Sequence, residues 1–474
     1  MGSPKIPLIL VQFSDLKFTS GLKDGNECDT EADADSVNAF FNLFANGKGG
    51  DSYYMGHGSR GAIHEYFRDQ SLGQFTPEFE IIGPITLSKS YAYYGEHVGN
   101  TKDKNISEFF SESIRAAQKL ESNWDKYDNN ADNRVDMAFF LYAGEGENGS
   151  SDENTIWPKE MQNGGSINGV SYGCYACCNE VYKGKTDGIG VFIHELSHAL
   201  GLPDLYDTNY VAYGMDYWSI MDSGCYCQDG MVPCGYSSYE KDFMGWKSLV
   251  TLDINNPEHL VLEPISLGGF GYKMVNPENP NEYYVIENRQ NKRWDAYIGR
   301  GTNTDTNHGL LVTHIDYNRS SWVGNSVNTD LKHQRCTILP ADGTLMSYMY
   351  VSNYDEYIQF LQEVSGDPFP GSQQVTELTE EMEKVYTTTG NTPGLMNQPL
   401  RNIVEHEDGT IELDYCPRGV EPISDGIKAV ISEQSQWNDG GVYDLAGRRV
   451  ATSPNSLLRP GIYIVRGNKV KIGH

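Results

Sequence analysis

The segment at residues 192–204, FIHELSHALGLPD, constrains the fold of this chain more tightly than any other part of its sequence. His194 and His198 are four positions apart, so on a helix both imidazoles project from one face, about 40° apart around the axis. Gly201 favours the positive φ that ends a helix, which turns Asp204 back towards the two histidines. The segment therefore predicts a short helix with a metal site formed by His194, His198 and Asp204.

Glu195 follows the first histidine and would project beside the metal without binding it, where a carboxylate can act as a general base. The spacing HExxHxxGxxD is that of the long metzincin zinc motif with aspartate in place of the third histidine, and a carboxylate is an adequate zinc ligand. Glu240 remains an alternative third ligand, with a separation closer to the thermolysin-like layout, and Asp207 is a more distant one. Met221, in YWSIMDSG, fits either a methionine turn beneath the metal or ordinary core packing.

The acidic stretch DNNADNRVD, residues 128–136, has the ligand spacing of an EF-hand-like loop. Side-chain oxygens at positions 1, 3, 5 and 9 would come from Asp128, Asn130, Asp132 and Asp136. The backbone carbonyl at position 7 would come from Arg134. Asn133 replaces glycine at position 6, where asparagine tolerates the left-handed region. Phe139 stands at position 12 instead of glutamate, so this is not a true EF-hand. The pattern predicts a structural calcium site, with a solvated acidic turn as the alternative.

Strand and helix patterns divide the chain into three parts. A buried strand in PLILVQFSD, an amphipathic helix over residues 107–120 and a second buried strand in VDMAFFLYAG predict an α+β catalytic core with a mixed sheet. Beyond Trp246, short apolar runs separated by Gly, Asn and Pro predict a β-rich region. We therefore predict a metzincin-like zincin domain over residues 5–250, a β-rich domain over 251–416 and a small tail over 417–474.

The charge of the chain argues against one class of partner. Its 65 acidic and 36 basic residues give a formal net charge of −29, a field that repels phosphate backbones and anionic lipid. We therefore expect no nucleic-acid partner.

No run approaches the ~18 consecutive apolar residues of a membrane span, so we expect no membrane-spanning segment. The first residues, MGSPKIPLIL, lack a signal-peptide pattern, and for an exported protein we expect a leader that has been removed.

Six of the nine cysteines lie between residues 174 and 234. The run CYACC has no second CxxC pair, which disfavours a structural zinc knuckle. In an exported protein this clustering favours disulfides between loops near the metal helix, with buried free thiols as the alternative.

Further segments extend the pattern well beyond the metal helix. They include LILVQFSD, YDNNADNRVDMAFFLYAGEGE, TIWP, YYVIENRQ, GLLVTHID and DPFPG. Together with HELSHALGLPDLYD, they make residues 5–415 resemble the M6 family of secreted bacterial metallopeptidases, the immune inhibitor A-like proteases. The terminal VYDLAGRRV and GIYIVRGNKVKI resemble the small β-sandwich tails of exported Bacteroidetes proteins. The resemblance implies a secreted or cell-surface zinc endopeptidase, with zinc at His194 and His198, Glu195 as base, and surface attachment as a further option.

The leading hypothesis is therefore hydrolysis of protein or peptide substrates by a metal-activated water, with Glu195 as general base and no covalent intermediate. The alternative is a catalytically silent surface-binding or attachment protein that zinc and calcium merely stabilise. A purely structural site needs ligands and no base, so Glu195 favours the enzyme. Tyr236 and Tyr239 either assist an oxyanion or pack in the core, and we favour packing. Glu287 and His314 are expected to have structural roles.

Overall fold

The computed structural model describes residues 2–23, 26–28, 32–48, 58–99, 101–150, 152–300, 307–389, 392–422, 442–443, 449–451, 461–465 and 468–472. These residues form an α+β fold with two compact units, Met1–Gly419 and Val420–His474. Within the described ranges, no helix has the length and apolar character needed to cross a membrane. Residues on both sides of position 250 belong to the first unit, so a domain boundary at that position stays a prediction.

The strands, in chain order, are β1 (Lys5–Gln12), β2 (Gly21–Lys23), β3 (Asn26–Cys28), β4 (Glu78–Thr86), β5 (Val135–Glu145), β6 (Lys159–Ile167), β7 (Val170–Tyr182), β8 (Lys185–Thr186), β9 (Val250–Thr251), β10 (Glu258–Leu262), β11 (Tyr272–Val275), β12 (Glu282–Arg289), β13 (Gly309–Asp316), β14 (Cys336–Ile338), β15 (Lys384–Thr389), β16 (Thr392–Leu395), β17 (Leu400–Glu405), β18 (Ile411–Tyr415), β19 (Val442–Tyr443), β20 (Arg449–Ala451), β21 (Gly461–Val465) and β22 (Asn468–Ile472). The α-helices are α1 (Ala34–Asn46), α2 (Ile63–Gln70), α3 (Tyr91–Gly95), α4 (Ile106–Leu120), α5 (Glu147–Ser150), α6 (Gly190–Ala199), α7 (Ser238–Phe243), α8 (Arg319–Val323) and α9 (Tyr354–Val364).

The first sheet carries the frame of the metal helix. Its strand order is β4-β1-β5-β7-β6, and β8 pairs with β7. The strands β4, β1, β5 and β7 are parallel, whereas β6 lies antiparallel at the edge. Side chains alternate along β1, so Leu8 and Leu10 face one core and Ile9 and Val11 face another. A parallel sheet with both faces buried accounts for the continuous apolar run that the sequence shows.

Helices cover both faces of this sheet. The core on one face includes apolar side chains of α1, α2 and α6, and the core on the other face includes those of α3 and α4. The rings of Phe139 on β5 and Phe192 on α6 stack with centroids 3.7 Å apart. This contact helps to fix α6 on the sheet. The predicted strands in PLILVQFSD and VDMAFFLYAG and the predicted helix are confirmed as β1, β5 and α4.

The β-rich region predicted after Trp246 is confirmed, and it shares a core with α6. It contains a sheet ordered β14-β13-β12-β11-β9 and a sheet ordered β10-β18-β17. Along β12, Tyr283 and Val285 belong to the same core as α6, whereas Tyr284 and Ile286 belong to a separate core with the second sheet. One face of the larger sheet is therefore part of the structure that supports the metal helix.

The second unit contains a sheet ordered β20-β19-β21-β22. The sequence predicted two strand-like runs there, and each run contributes two strands. Val465 pairs with Asn468 across β21 and β22, so the second run reverses direction within itself. The likeness of this tail to β-sandwich tails stays a prediction.

Candidate metal centre

Two glycines place the metal helix and end it. Gly190 packs so closely that an added Cβ would lie 1.8 Å from the carbonyl oxygen of Cys225. Gly201 has φ 102°, as the sequence predicts. The amide of Gly201 donates to His198 O at 2.9 Å and that of Leu202 donates to Ser197 O at 3.1 Å, which is the hydrogen-bond pattern of a Schellman motif. The chain therefore reverses directly after the second histidine.

This reversal brings the three predicted ligands together. Asp204 Oδ1 lies 3.1 Å from His194 Nε2 and 3.2 Å from His198 Nε2. The two imidazole rings are nearly perpendicular, with an interplanar angle of 89°. One donor atom from each residue lies within 4.8 Å of the other two, a spacing that one metal ion can bridge.

The hydrogen bonds of the two Nδ1 atoms fix the tautomer of each histidine and so determine whether its Nε2 can bind a metal. His194 Nδ1 lies 2.9 Å from Ile220 O, and His198 Nδ1 lies 2.8 Å from Leu202 O. Because a carbonyl oxygen can only accept, each Nδ1 carries a hydrogen. Both Nε2 atoms therefore face the Asp204 carboxylate, and this approach is favourable only with a proton or a cation between them. Two imidazole nitrogens and one carboxylate oxygen fit zinc.

The contacts between Asp204 and the two histidines raise the pKa of His198 and lower the pKa of Asp204. Burial lowers the pKa of His198, but the hydrogen bond and negative charge of Asp204 outweigh burial and raise it to about 9. Burial opposes the shift at Asp204, where hydrogen bonds from the two histidines hold the pKa of the carboxyl well below its usual range. The centre thus stabilises positive charge at the point where the three side chains meet.

Glu195 lies beside this centre as a buried carboxylate with an unused oxygen. Its side chain is buried, and its Oε2 has no hydrogen-bond partner. Burial raises the pKa of Glu195 to about 7; the charges of Asp204 and Glu160 add to this rise, and the two histidines oppose it. A carboxylate with a pKa near neutrality can accept and return a proton near neutral pH.

Asn325 is a residue of the centre that the sequence analysis missed. Its Nδ2 donates to Asp204 Oδ2 at 2.6 Å, and its Oδ1 accepts from Asp204 N at 2.7 Å. These two bonds leave Asp204 Oδ1 directed at the histidines. Asn325 is 121 residues from Asp204 in sequence, and no local motif marks it.

The alternative third ligands have other roles. Glu240 accepts from Ser219 Oγ at 2.6 Å and from the amide of Ser237 at 2.6 Å, and it thereby completes the capping box of α7. Asp207 accepts from three backbone amides in the loop that follows the metal helix. Neither residue belongs to the cluster around the two histidines.

The segment that contains Met221 lies against the metal helix. The carbonyl before this methionine, that of Ile220, is the acceptor for His194, and the Met221 carbonyl accepts from the amide of Leu205 at 2.8 Å. The Met221 side chain is fully buried in the core that includes α6. This segment supports both the first histidine and the loop that leads to Asp204.

The residues expected to be structural are buried and hydrogen-bonded. Tyr236 bonds to Ser197 Oγ within the core, and Tyr239 accepts from Trp322 Nε1 at 2.7 Å. Glu287 accepts from the amide of Ser238 at 2.6 Å, and His314 lies 3.0 Å from a Glu282 carboxylate oxygen. Packing accounts for both tyrosines.

The predicted calcium loop brings its acidic side chains together. One carboxylate oxygen from each of Asp128, Asp132 and Asp136 lies within 4.8 Å of the other two. Asn133 has φ 65°, the left-handed conformation expected at position 6. Asn130 donates to Asp136 Oδ1 at 2.8 Å, and Arg134 donates its amide to Asp132 Oδ1 at 3.0 Å. Carboxylates of this kind suit calcium, although acidic turns also adopt such hydrogen bonds without an ion.

The sequence predicted disulfides near the metal helix, but the structure shows free thiols at Cys174, Cys177, Cys178, Cys225 and Cys234. The prediction is therefore wrong for these cysteines. All five side chains are buried. Alternation along β7 sends Cys174 and Cys178 to one face of the sheet and Cys177 to the other. These side chains act as small apolar groups in two separate cores.

Comparisons with known proteins identify the family of this chain. Residues 2–249, more than half of the chain, match the family description of the immune inhibitor A peptidase M6 catalytic domain. The chain is 24% identical over 289 residues to immune inhibitor A of Bacillus thuringiensis subsp. alesti. This match covers 52% of this chain and 41% of that protein. It is 26% identical over 273 residues to the pre-pro-metalloprotease PrtV of Vibrio cholerae serotype O1. This match covers 51% of this chain and 29% of that protein. The matches thus span less than half the length of these relatives.

Proposed function

Because the chain belongs to the immune inhibitor A peptidase M6 family, we propose that it is a secreted or cell-surface zinc endopeptidase that hydrolyses protein or peptide substrates. The observation that carries this proposal is the buried Glu195 carboxylate, with one unused oxygen, beside three converging metal-donor side chains. A site that only stabilised the fold would need the donors and no neighbouring base.

Each residue of the centre has a distinct part in this function. His194, His198 and Asp204 would hold zinc, which would supply a Lewis acid that polarises a peptide carbonyl and acidifies water. Glu195 takes a proton from the attacking water and returns it to the leaving amine. The backbone carbonyls of Ile220 and Leu202 keep the two imidazoles in one tautomer and one orientation.

Two aromatic side chains extend the site beyond the ligands. The Tyr206 ring lies 6.5 Å from the His194 ring, and the Tyr210 ring stacks on Tyr206 with centroids 5.9 Å apart. Burial raises the pKa of the Tyr206 phenol, and the charge of Asp204 adds to this rise, so its hydroxyl stays protonated. A protonated phenol at this position can donate a hydrogen bond to a substrate carbonyl.

The test of the proposed function is the variant Glu195→Gln, which removes the base and retains the shape of the side chain. We expect zinc content to stay at the wild-type level and kcat/KM for casein or peptide cleavage to fall by at least about a hundredfold. Wild-type activity should also disappear on chelation and return with zinc.

The matched control is Glu78→Gln, which changes an exposed carboxylate at the start of β4. It should keep wild-type activity. Wild-type turnover by a zinc-loaded E195Q protein would exclude the proposed mechanism, and the absence of chelator-sensitive cleavage in the wild type would favour a silent binding protein.

We also propose that the loop at residues 128–136 binds a structural calcium ion. The convergence of Asp128, Asp132 and Asp136 and the left-handed Asn133 support this proposal. Asn130 and the Arg134 carbonyl would complete the ligand set, as the spacing predicts. The loop leads directly into β5, so an ion there would stabilise the central sheet.

A further inference from the structure

The carboxylate of Glu160 lies on the edge strand of the first sheet, beside the metal helix. β6 occupies the end of the strand order, and among the described strands it pairs only with β7. Helix α6 packs against both β6 and β7. The outer edge of β6 therefore offers unpaired backbone groups next to the candidate catalytic centre.

The register of β6 determines which way Glu160 points. Glu160 pairs with Ala176 across β6 and β7, and cross-strand partners project to the same face of a sheet. Ala176 belongs to the core that contains Phe192 of α6. The next residue on β6, Met161, packs against the core on the opposite face. Alternation along the strand thus directs Glu160 towards the metal helix.

Among the residues that the structure describes, no lysine or arginine forms an ion pair with Glu160. Its Oε1 is shielded from solvent and has no hydrogen-bond partner. Its neighbour Lys159 pairs with Asp103 instead. Burial raises the pKa of the Glu160 carboxyl, and the positive charge of His198 and hydrogen bonds with Gln162 and Cys174 oppose this rise. The same carboxylate in turn contributes to the raised pKa of Glu195, which places it near the base.

An extended peptide can pair with the exposed edge of β6 as an additional strand. Its side chains would then alternate between the two faces of the sheet, and those on the α6 face would lie beside Glu160. A lysine or arginine there would meet the partly exposed Glu160 carboxylate in a charge-assisted hydrogen bond. The net charge of −29 would also draw basic segments to the protein.

We propose that Glu160 is a specificity-determining residue that selects a lysine or arginine side chain of the substrate close to the scissile bond. This inference rests on the proposed peptidase function. It adds a substrate class, namely peptides with a basic residue beside the cleaved bond.

The test is a comparison of cleavage by the zinc-loaded full chain and its variants on a peptide library in which each position is randomised. In the wild type, we expect lysine or arginine to be preferred at one position near the cleaved bond. In Glu160→Gln, kcat/KM for the basic peptide should fall by about tenfold or more, whereas kcat/KM for its norleucine analogue should change little. The loss should appear chiefly in KM, because the contact is made in the bound substrate.

Two further variants separate specificity from folding. Glu160→Lys should reverse the preference and favour an acidic side chain at the same position. Glu78→Gln, on the opposite edge strand, should keep the wild-type preference. A purely structural role for Glu160 would lower cleavage of the basic and norleucine peptides equally and would overturn the proposal.

The result for the wild type distinguishes the two proposals. If it cleaves peptides without any preference for a basic residue, the inference about Glu160 is wrong and the peptidase function stands. If it cleaves no peptide when loaded with zinc, the proposed function itself fails, and the specificity proposal fails with it.

Discussion

The side chain of Asn325 orients a candidate metal ligand through two hydrogen bonds. It donates to Asp204 Oδ2 at 2.6 Å and accepts from the Asp204 amide at 2.7 Å. Groups that orient a metal ligand in this way commonly account for ten- to hundredfold in metal affinity or activity. The side-chain amide of Asn325 therefore connects the β-rich region to the metal centre.

We predict that Asn325→Ala weakens zinc binding by about ten- to hundredfold, because Asp204 loses the contacts that direct Oδ1 at the histidines. Competition with a chelator measures the change. The control is Asn353→Ala, which removes the N-cap of α9 and affects stability without a contact to the centre. Unchanged zinc affinity in N325A would show that Asp204 needs no such support.

Glu383 is a buried carboxyl with incomplete hydrogen bonding. Its Oε2 accepts from the amide of Gln398 at 2.8 Å, and its Oε1 has no partner. Burial raises the pKa of Glu383 to about 8. Between the unfolded pKa of roughly 4.3 and this value, the folded protein binds one more proton than the unfolded chain. Stability contributed by this group is therefore lost as pH rises through that window, at up to about 1.4 kcal/mol per pH unit.

We predict that Glu383→Gln raises the melting temperature at pH 8 relative to the wild type and has a smaller effect at pH 5. The amide retains an acceptor for Gln398 and cannot ionise. Thermal unfolding from pH 5 to 8 measures the difference, and the exposed neighbour Glu381→Gln is the control. The same pH slope in E383Q and wild type would contradict the assignment.

At the level of single elements, α6 is enclosed by the surrounding structure. The sequence predicted that both histidines project from one face of the helix, and the structure buries residues 190–197 on every face. The loop after Gly201 and the segment around Met221 both cover the ligand side through hydrogen bonds to the helix. This burial raises the pKa of Glu195, so the cover is part of the chemistry.

The loop at residues 128–136 is an element whose stability should depend on an ion. We predict that calcium raises the melting temperature and that EGTA lowers it, because an ion that binds only the folded loop stabilises it by mass action. The double variant Asp128→Ala with Asp132→Ala should lose most of this response.

The control for the loop is Asp253→Ala, which removes the acceptor of an exposed turn that has similar local hydrogen bonds. It should keep the full calcium response. A wild-type response in the double variant would place the ion elsewhere in the protein.

At the scale of the whole molecule, the core extends beyond the part that matches the catalytic-domain family. Tyr283, Val285 and Leu311 belong to the same core as Phe192 of the metal helix. Asn325 adds a polar contact from the same region. The matched residues 2–249 therefore depend on the β-rich region for burial and for ligand orientation.

We predict that a chain cut after residue 419 retains the cooperative unfolding and zinc binding of the first compact unit. A chain cut after residue 249 should lack cooperative unfolding, because it exposes the part of the core that β12 and β13 complete. Circular dichroism and calorimetry of the two truncated chains measure this. A cooperatively folded 1–249 fragment would show that the catalytic region is an independent domain.

The sequence by itself determined the features that depend on neighbouring residues. The four-residue spacing of His194 and His198, the positive φ of Gly201 and the alternation along β1 follow from helix, turn and strand geometry, which short segments specify. The approach of Asp204 to the histidines follows from the same turn.

Only the tertiary structure decided which side chains meet across long separations. It kept Cys174 and its neighbours as thiols, placed Asn325 on Asp204 and directed Glu160 towards the metal helix. Burial and hydrogen-bond partners in these cases depend on how sheets and helices pack. Local spacing carries no information on contacts between elements more than a hundred residues apart, because packing of the whole core sets them.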